Sequence, residues 1–284
     1  MSSPMTVQEF YHPGLDPRIR CFRAGEEVDT FVVVTERMLI YLDSMSTPEL
    51  MRQVIELTSV DAGARQVVVI NTHADWDHVY GNQVFERGDL RGLIVASEAT
   101  AARLHSEEAR AVLASQQAQD TRFEAVKLTP PHLTFPDTLT LDGGDLSLHL
   151  FPTPGHRQGH VSVWIPEVRT LLAGDAAEYP WPCIGTYSDL DALRASLERM
   201  TALDPAFVLP CHGGTSSPDL MARNLAYLDR LAELVSAGLA DAPELSYEAA
   251  LTWLGTTPDA VPGFYRDFHQ GAVKATREWL GEQA

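Results

Sequence analysis

Asn71-Thr72-His73-Ala74-Asp75-Trp76-Asp77-His78-Val79-Tyr80-Gly81-Asn82 follows directly on the apolar run Val67-Val68-Val69-Ile70. The run reads as a buried strand of β-branched residues. Polarity then inverts, and four potential metal ligands arrive within six residues, spaced His-x-Asp-x-Asp-His. Alternation along an extended segment places 73, 75 and 77 on one side, and a bend brings 78 round. Four such groups packed together without a cation would repel one another or stay unpaired, which is costly away from water. A divalent metal removes that cost, since imidazole nitrogen and carboxylate oxygen are ordinary ligands for zinc, iron or manganese. The competing reading is a solvated acidic loop with two incidental histidines, and the density of ligands disfavours it.

Three isolated candidates share the setting of this loop. His156, Asp175 and His212 each follow an expected strand and lie in a turn rich in Gly or Pro: Thr153-Pro154-Gly155-His156, Gly174-Asp175 and Pro210-Cys211-His212-Gly213. Turns held by a rigid sheet are where catalytic groups are usually presented. With His73, Asp75, Asp77 and His78 they make seven ligands, enough for two metals sharing one bridging carboxylate.

Composition bounds the rest. A chain of 284 residues with 45% hydrophobic content can bury a large core and is not expected to be disordered. No apolar run approaches the roughly 18 to 20 residues that span a bilayer, and Met1 to Phe10 has no basic region followed by an apolar core, so neither a membrane segment nor a signal peptide is expected. Cys21, Cys183 and Cys211 form no CxxC pair and cannot all be bridged to one another, which fits a reduced, cytoplasmic compartment. The formal charge of −18 argues against a nucleic-acid partner, because phosphate binding needs a basic face.

Along the chain, Ile19 to Phe22, Thr30 to Thr35 and Met38 to Leu42 read as strands. Thr47-Pro48-Glu49 opens a helix running to about Ser59, with an N-cap threonine, proline at the first position and an acid in the first turn. Gly92 to Ala96 reads as a strand, Glu98 to His105 and Ala109 to Gln119 as helices, and Thr129-Pro130-Pro131 as a turn. The second half begins again with strands at Leu139 to Leu141, Leu146 to Phe151, Val161 to Ile165 and Thr170 to Ala173. A helix at Leu190 to Met200, a strand at Phe207 to Leu209 and helices over 219–237, 246–254 and 264–281 follow. Two halves, each strands then helices, suggest a pseudo-symmetric α/β sandwich without a low-complexity linker. The expectation is one domain over 1–284, with a ligand-bearing core at about 18–215 and a helical segment at about 216–284.

The motifs, in this order and over roughly positions 20 to 215, resemble the metallo-β-lactamase superfamily of metallohydrolases. The resemblance implies a four-layer αβ/βα sandwich of two mixed β-sheets flanked by helices, here with extra C-terminal helices. It implies two divalent ions, zinc first among them. One would be held by His73, Asp75 and His156, the other by Asp77, His78 and His212, with Asp175 bridging. The family's usual second ligand is histidine, so Asp75 departs from the pattern and resembles the flavodiiron branch, which has a carboxylate there. Iron or manganese therefore stays open.

The chemistry implied is attack by a metal-bridging hydroxide on a small ester, lactone or thioester, with Asp77 orienting the nucleophile and helping to carry its proton. Tyr179 stands where the resembling lactonases carry a tyrosine, at a slightly different offset; it is either an oxyanion donor or an aromatic packed beside Pro180-Trp181-Pro182. Trp76 either packs under the loop or lines the substrate cleft. Tyr80 and Cys211 replace common glycines, and Cys211 reads as structural. His160 reads as a supporting or core histidine, and His269 as an exposed residue of the helical tail. Substrate choice is expected from Trp76, Tyr179 to Tyr187 and the C-terminal aromatics, among them Phe264 and Tyr265.

The other readings are iron-dependent oxygen chemistry with a separate electron donor, a phosphodiesterase or nuclease, and a non-catalytic metal-binding module. A complete flavodiiron enzyme would need a further flavodoxin-like domain, and a β-lactamase proper would need a secretory signal.

Overall fold

Val68, Val69 and Ile70 are buried in β5 (Gln66–Asn71), an inner strand of a seven-stranded sheet. The structure is a computed structural model and describes residues 5–86, 90–184, 189–239 and 242–282. Tyr187, one of the residues expected to shape substrate choice, lies outside the described residues.

The sheet is made of β1 (Val7–Phe10), β2 (Ile19–Ala24), β3 (Val28–Val34), β4 (Met38–Leu42), β5, β6 (Leu93–Ser97) and β7 (Leu133–Phe135), lying side by side in chain order. β1 to β4 pair antiparallel, and β4 to β7 pair parallel. Parallel pairing needs crossovers. The first is α1 (Pro48–Ala62), whose Thr47 cap accepts from Leu50 N at 3.3 Å as the sequence predicts. Its Leu50, Met51, Val54 and Thr58 are buried, and Tyr41 of β4 bonds Thr58 Oγ1 at 2.7 Å. α3 (Glu98–His105) and α4 (Glu107–Gln119) form the link from β6 towards β7 and match the expected helices closely.

A second, five-stranded sheet has the order β12-β11-β10-β9-β8, from β8 (Leu139–Asp142), β9 (Ser147–Pro152), β10 (Val161–Ile165), β11 (Thr170–Gly174) and β12 (Phe207–Pro210). β8 and β9 pair antiparallel, β11 and β12 parallel, so this sheet too is mixed. By compactness the chain divides into two units, Met1–Phe151 with Val163–Val168, and Pro152–Ser162 with Arg169–Ala284. The second carries α5 (Leu190–Thr201), α6 (Leu220–Ser236), α7 (Tyr247–Trp253) and α8 (Tyr265–Glu282). Among the described residues no helix is long and apolar enough to cross a membrane, and Cys21, Cys183 and Cys211 form no disulfide.

One expectation about the helical tail is overturned. His269 of α8 is 2% exposed, not a surface residue. Its Nε2 faces the Leu245 carbonyl at 2.8 Å, and a carbonyl only accepts, so Nε2 carries the proton. Burial pushes the pKa of His269 down, so the ring is neutral and its Nδ1 accepts from Tyr227 Oη at 2.8 Å. The unfolded chain takes up this proton near the ordinary value of about 6.5, the folded chain only at lower pH. The contribution of neutral His269 to stability is therefore full above about pH 6.5 and is lost as pH falls below it. The Tm advantage of the wild type over His269→Gln should be largest near neutral pH and shrink on acidification; a gap independent of pH would contradict this.

Candidate metal centre

At the C-terminal end of β5 the chain bends at Thr72 and His73 and enters α2 (Trp76–Val79) with Asp75 as N-cap. The reading of 73, 75 and 77 as one face of an extended segment is thus corrected: Asp77 and His78 lie on a helical turn. The turn is closed by His78 N to Asp75 O at 3.1 Å and Tyr80 N to Trp76 O at 3.3 Å. Gly81 follows because nothing larger fits: a Cβ there would lie 1.9 Å from the Ser44 carbonyl oxygen. Asn82 then ties the loop to β5, donating to Asn71 Oδ1 at 2.8 Å and to the Thr129 carbonyl at 3.0 Å.

His73, Asp77 and His78 are buried, and Asp75 is half-buried. The carboxylate of Asp43, directly after β4 and 0% exposed, organises them. It accepts from Thr72 N, Thr72 Oγ1 and His78 Nδ1, each at 2.8 Å. Because Thr72 Oγ1 spends its proton on Asp43, it accepts from His73 Nδ1 at 3.0 Å. Both imidazoles therefore carry their proton on Nδ1 and present the Nε2 lone pair, the state a metal needs. His73 Nε2 lies 3.7 Å from Asp75 Oδ2, and His78 Nε2 lies 3.4 Å from Asp77 Oδ2.

The second unit repeats this chemistry. His156 donates through Nδ1 to the Cys183 carbonyl at 3.3 Å and so presents Nε2. That Nε2 is 3.6 Å from Asp175 Oδ2, and His212 Nε2 is 3.3 Å from the same oxygen. One carboxylate oxygen thus lies within 3.6 Å of two imidazole nitrogens.

His160 is not part of this ligand set. Its Nε2 accepts from the backbone N of Asp175 at 3.0 Å, while Nδ1 bonds Thr153 Oγ1 at 2.8 Å, in a chain running on through Ser162 to the Ala173 carbonyl. It positions Asp175, in line with its reading as a supporting residue.

These spacings fit a divalent ion. A paired imidazolium and carboxylate close to about 2.7–2.9 Å, whereas two donors each about 2.0–2.1 Å from one tetrahedral ion stand roughly 3.3 Å apart. The four pairs fall at 3.3 to 3.7 Å.

Among the residues around the candidate ligands, Trp76 packs against a cluster of Val79, Tyr80, Leu104, Leu113, Phe123 and Val126, with its ring edge-on to Phe123. Tyr80 bonds Gln116 of α4 through its hydroxyl. Cys211 is fully buried, its N donating to the Gly174 carbonyl at 3.2 Å. Tyr179 is half-buried and joined to the ligand turn by its N donating to the His212 carbonyl at 3.4 Å. Gly213, at φ 93°, lets the chain pass there, since a Cβ would meet Tyr179 O at 2.2 Å. Phe264 lies edge-on to His212 with ring centroids 6.3 Å apart.

Sequence reasoning missed two acids. Asp43 carried a weak signal, an acid closing an apolar strand beside the ligand-bearing strand. Glu178 carried less. It is 0% exposed, burial pushes its pKa up, and its carboxylate lies within 4.8 Å of the donor atoms of His156 and Asp175.

Comparison with known proteins agrees with this fold. A family model described as the metallo-β-lactamase superfamily matches residues 25–212. A β-lactamase-like protein 2 homolog from Caenorhabditis elegans is 35% identical over 80 residues, which span 26% of this chain and 24% of that protein's length. Solved structures share the fold. A β-lactamase domain protein from Burkholderia ambifaria has a TM-score of 0.68 at 18% identity, covering 96% of this chain and 88% of that one. A metallo-β-lactamase family protein from Thermus thermophilus gives 0.63 at 21%, covering 98% and 93%. A metallo-β-lactamase from Pontibacter korlensis gives 0.59 at 19%, covering 78% and 97%. With two mixed sheets, the expected motifs in order and a family match over most of its length, the chain belongs to the metallo-β-lactamase superfamily, whose members are mostly metal-dependent hydrolases that bind divalent ions, typically zinc.

Proposed function

We propose that this protein is a dinuclear metal-dependent hydrolase of small esters, lactones or thioesters. The observation that carries the proposal is the set of four imidazole–carboxylate pairs, at ligand-to-ligand spacing, with three of the histidines fixed by hydrogen bonds as Nε2 donors. His73, Asp75 and His156 would hold one ion, Asp77, His78 and His212 the other, and Asp175 both. When bound, two such ions supply a water that loses its proton near neutral pH and a Lewis acid for the substrate oxygen. In this reading Asp77 orients the attacking water and takes up its proton on a carboxylate oxygen. Tyr179 donates from its hydroxyl to the oxygen on which charge develops. Phe264, beside His212, offers an apolar wall to a small acyl or ring substrate.

A panel of chromogenic esters, lactones, thioesters and phosphodiesters tests this. Turnover of one of the first three classes is expected, lost on chelation and restored by a divalent ion. Turnover confined to phosphodiesters, or carbonyl substrates cleaved equally well after chelation, would refute it.

A second reading, oxygen chemistry at iron, is favoured by Asp75, a carboxylate where the family pattern has histidine. Carboxylates suit harder ions than imidazoles do. Asp75→His is therefore expected to move the zinc-to-manganese uptake ratio in a competition experiment several-fold towards zinc. An unchanged ratio would place Asp75 outside the ligand set.

A further inference from the structure

Glu178 is a carboxylate with no access to solvent. Burying such a group is costly unless its oxygens are satisfied and its place is fixed. Both conditions are met. Its Oε2 accepts from Tyr265 Oη of α8 at 2.9 Å, and its Oε1 accepts from Cys183 N at 3.0 Å. Its backbone is clamped on both sides by Asn224 of α6, whose Oδ1 accepts from Glu178 N at 3.0 Å and whose Nδ2 donates to Glu178 O at 2.8 Å.

The residue held by Oε1 is the one that orients a ligand. Cys183 gives its N–H to Glu178, and its carbonyl accepts from His156 Nδ1 at 3.3 Å. Glu178 thus accepts from both α8 and Cys183, and the Cys183 carbonyl in turn accepts from the ring of His156.

We propose that Glu178 and Tyr265 are positioning residues for His156: the hydroxyl of Tyr265 locks the Glu178 carboxylate, which sets the Cys183 segment so that His156 keeps its proton on Nδ1 and its Nε2 lone pair on the ion. In this role Glu178 acts through Cys183, whose N–H it accepts and whose carbonyl meets His156 Nδ1. The C-terminal helix, expected from sequence to serve substrate choice, thereby reaches the metal centre itself. The inference rests on the reading of His156 as a ligand.

The test uses full-length, zinc-loaded protein and the variants Tyr265→Phe and Glu178→Gln. The deciding readout is exchange of the His156 Nδ1 proton with solvent, followed by NMR and assigned with His156→Gln. Exchange should be at least tenfold faster in Tyr265→Phe. Competition with a chelator should show one of the two zinc ions held roughly 10–100-fold less tightly, the usual cost of losing a group that orients a ligand. Exchange unchanged in folded Tyr265→Phe would overturn the inference, and this near-isosteric variant decides the matter even where Glu178→Gln fails to fold. If the wild type holds fewer than two ions, the dinuclear reading fails, while the proton exchange still judges the link from Tyr265 to His156.

Discussion

Asp175→Ala is expected to fold, to retain about one divalent ion or fewer where the wild type holds about two, and to lose turnover by about a thousandfold or more. Folding should survive because residue 175 is also placed by its backbone, whose N–H donates to His160 Nε2 at 3.0 Å. What disappears is the oxygen lying 3.6 Å from His156 Nε2 and 3.3 Å from His212 Nε2. In the proposed dinuclear reading each ion then loses a ligand, and the two lose the negative charge between them. The contribution of bound metal to charge stabilisation is several kcal/mol, and about 4 kcal/mol corresponds to the thousandfold loss. Elemental analysis of wild type and variant, both purified without chelator, measures the first quantity; initial rates measure the second. Full metal content together with full activity would remove Asp175 from the bridging role.

The second large effect belongs to Asp43, which touches no ion in this account. Asp43→Ala strands three donors, Thr72 N, Thr72 Oγ1 and His78 Nδ1. Each buried group left without its acceptor costs about 1–3 kcal/mol, so a loss of at least roughly 3 kcal/mol in stability is expected. Residue 43 also sits at φ 65°, where alanine is strained and asparagine is tolerated. Asp43→Asn is therefore the cleaner probe. An amide NH₂ at the position of Oδ2 cannot accept from His78 Nδ1, so it drives the ring to the other tautomer and places a proton on Nε2. This variant should keep most of its Tm yet bind the ion at His78 about 10–100-fold more weakly. Two ions at wild-type affinity in Asp43→Asn would show that His78 is not held in its metal-binding state through Asp43.

The parts of this protein that were legible in its sequence are those decided by near neighbours. The run from Val67 to Ile70 announces a buried strand whatever surrounds it, and Thr47-Pro48-Glu49 starts a helix by local capping alone. The edge strands β1 and β7 were missed. Val7-Gln8-Glu9-Phe10 has no apolar alternation and is a strand because β2 lies beside it, while β7 is three residues long, next to prolines. Asp77 and His78 lie on a helical turn that spacing alone did not reveal, since His-x-Asp-x-Asp-His is compatible with strand and turn alike.

The supporting residues carried little signal for a related reason. Asp43 acquires its role from partners 29 and 35 residues away, and Glu178 from one 87 residues away. A lone acid in a sequence carries little mark of such distant partners. His269 looked exposed because a histidine in a polar-faced helix usually is. Tyr227 and the Leu245 carbonyl bury it.

The most direct measurement is anomalous diffraction from crystals of the native protein, recorded on both sides of the absorption edge of whichever metal it carries. The account predicts two peaks per chain. One should lie among His73, Asp75 and His156, the other among Asp77, His78 and His212, with Asp175 in contact with both. A single peak, or peaks bound by other side chains in an active preparation, would contradict it.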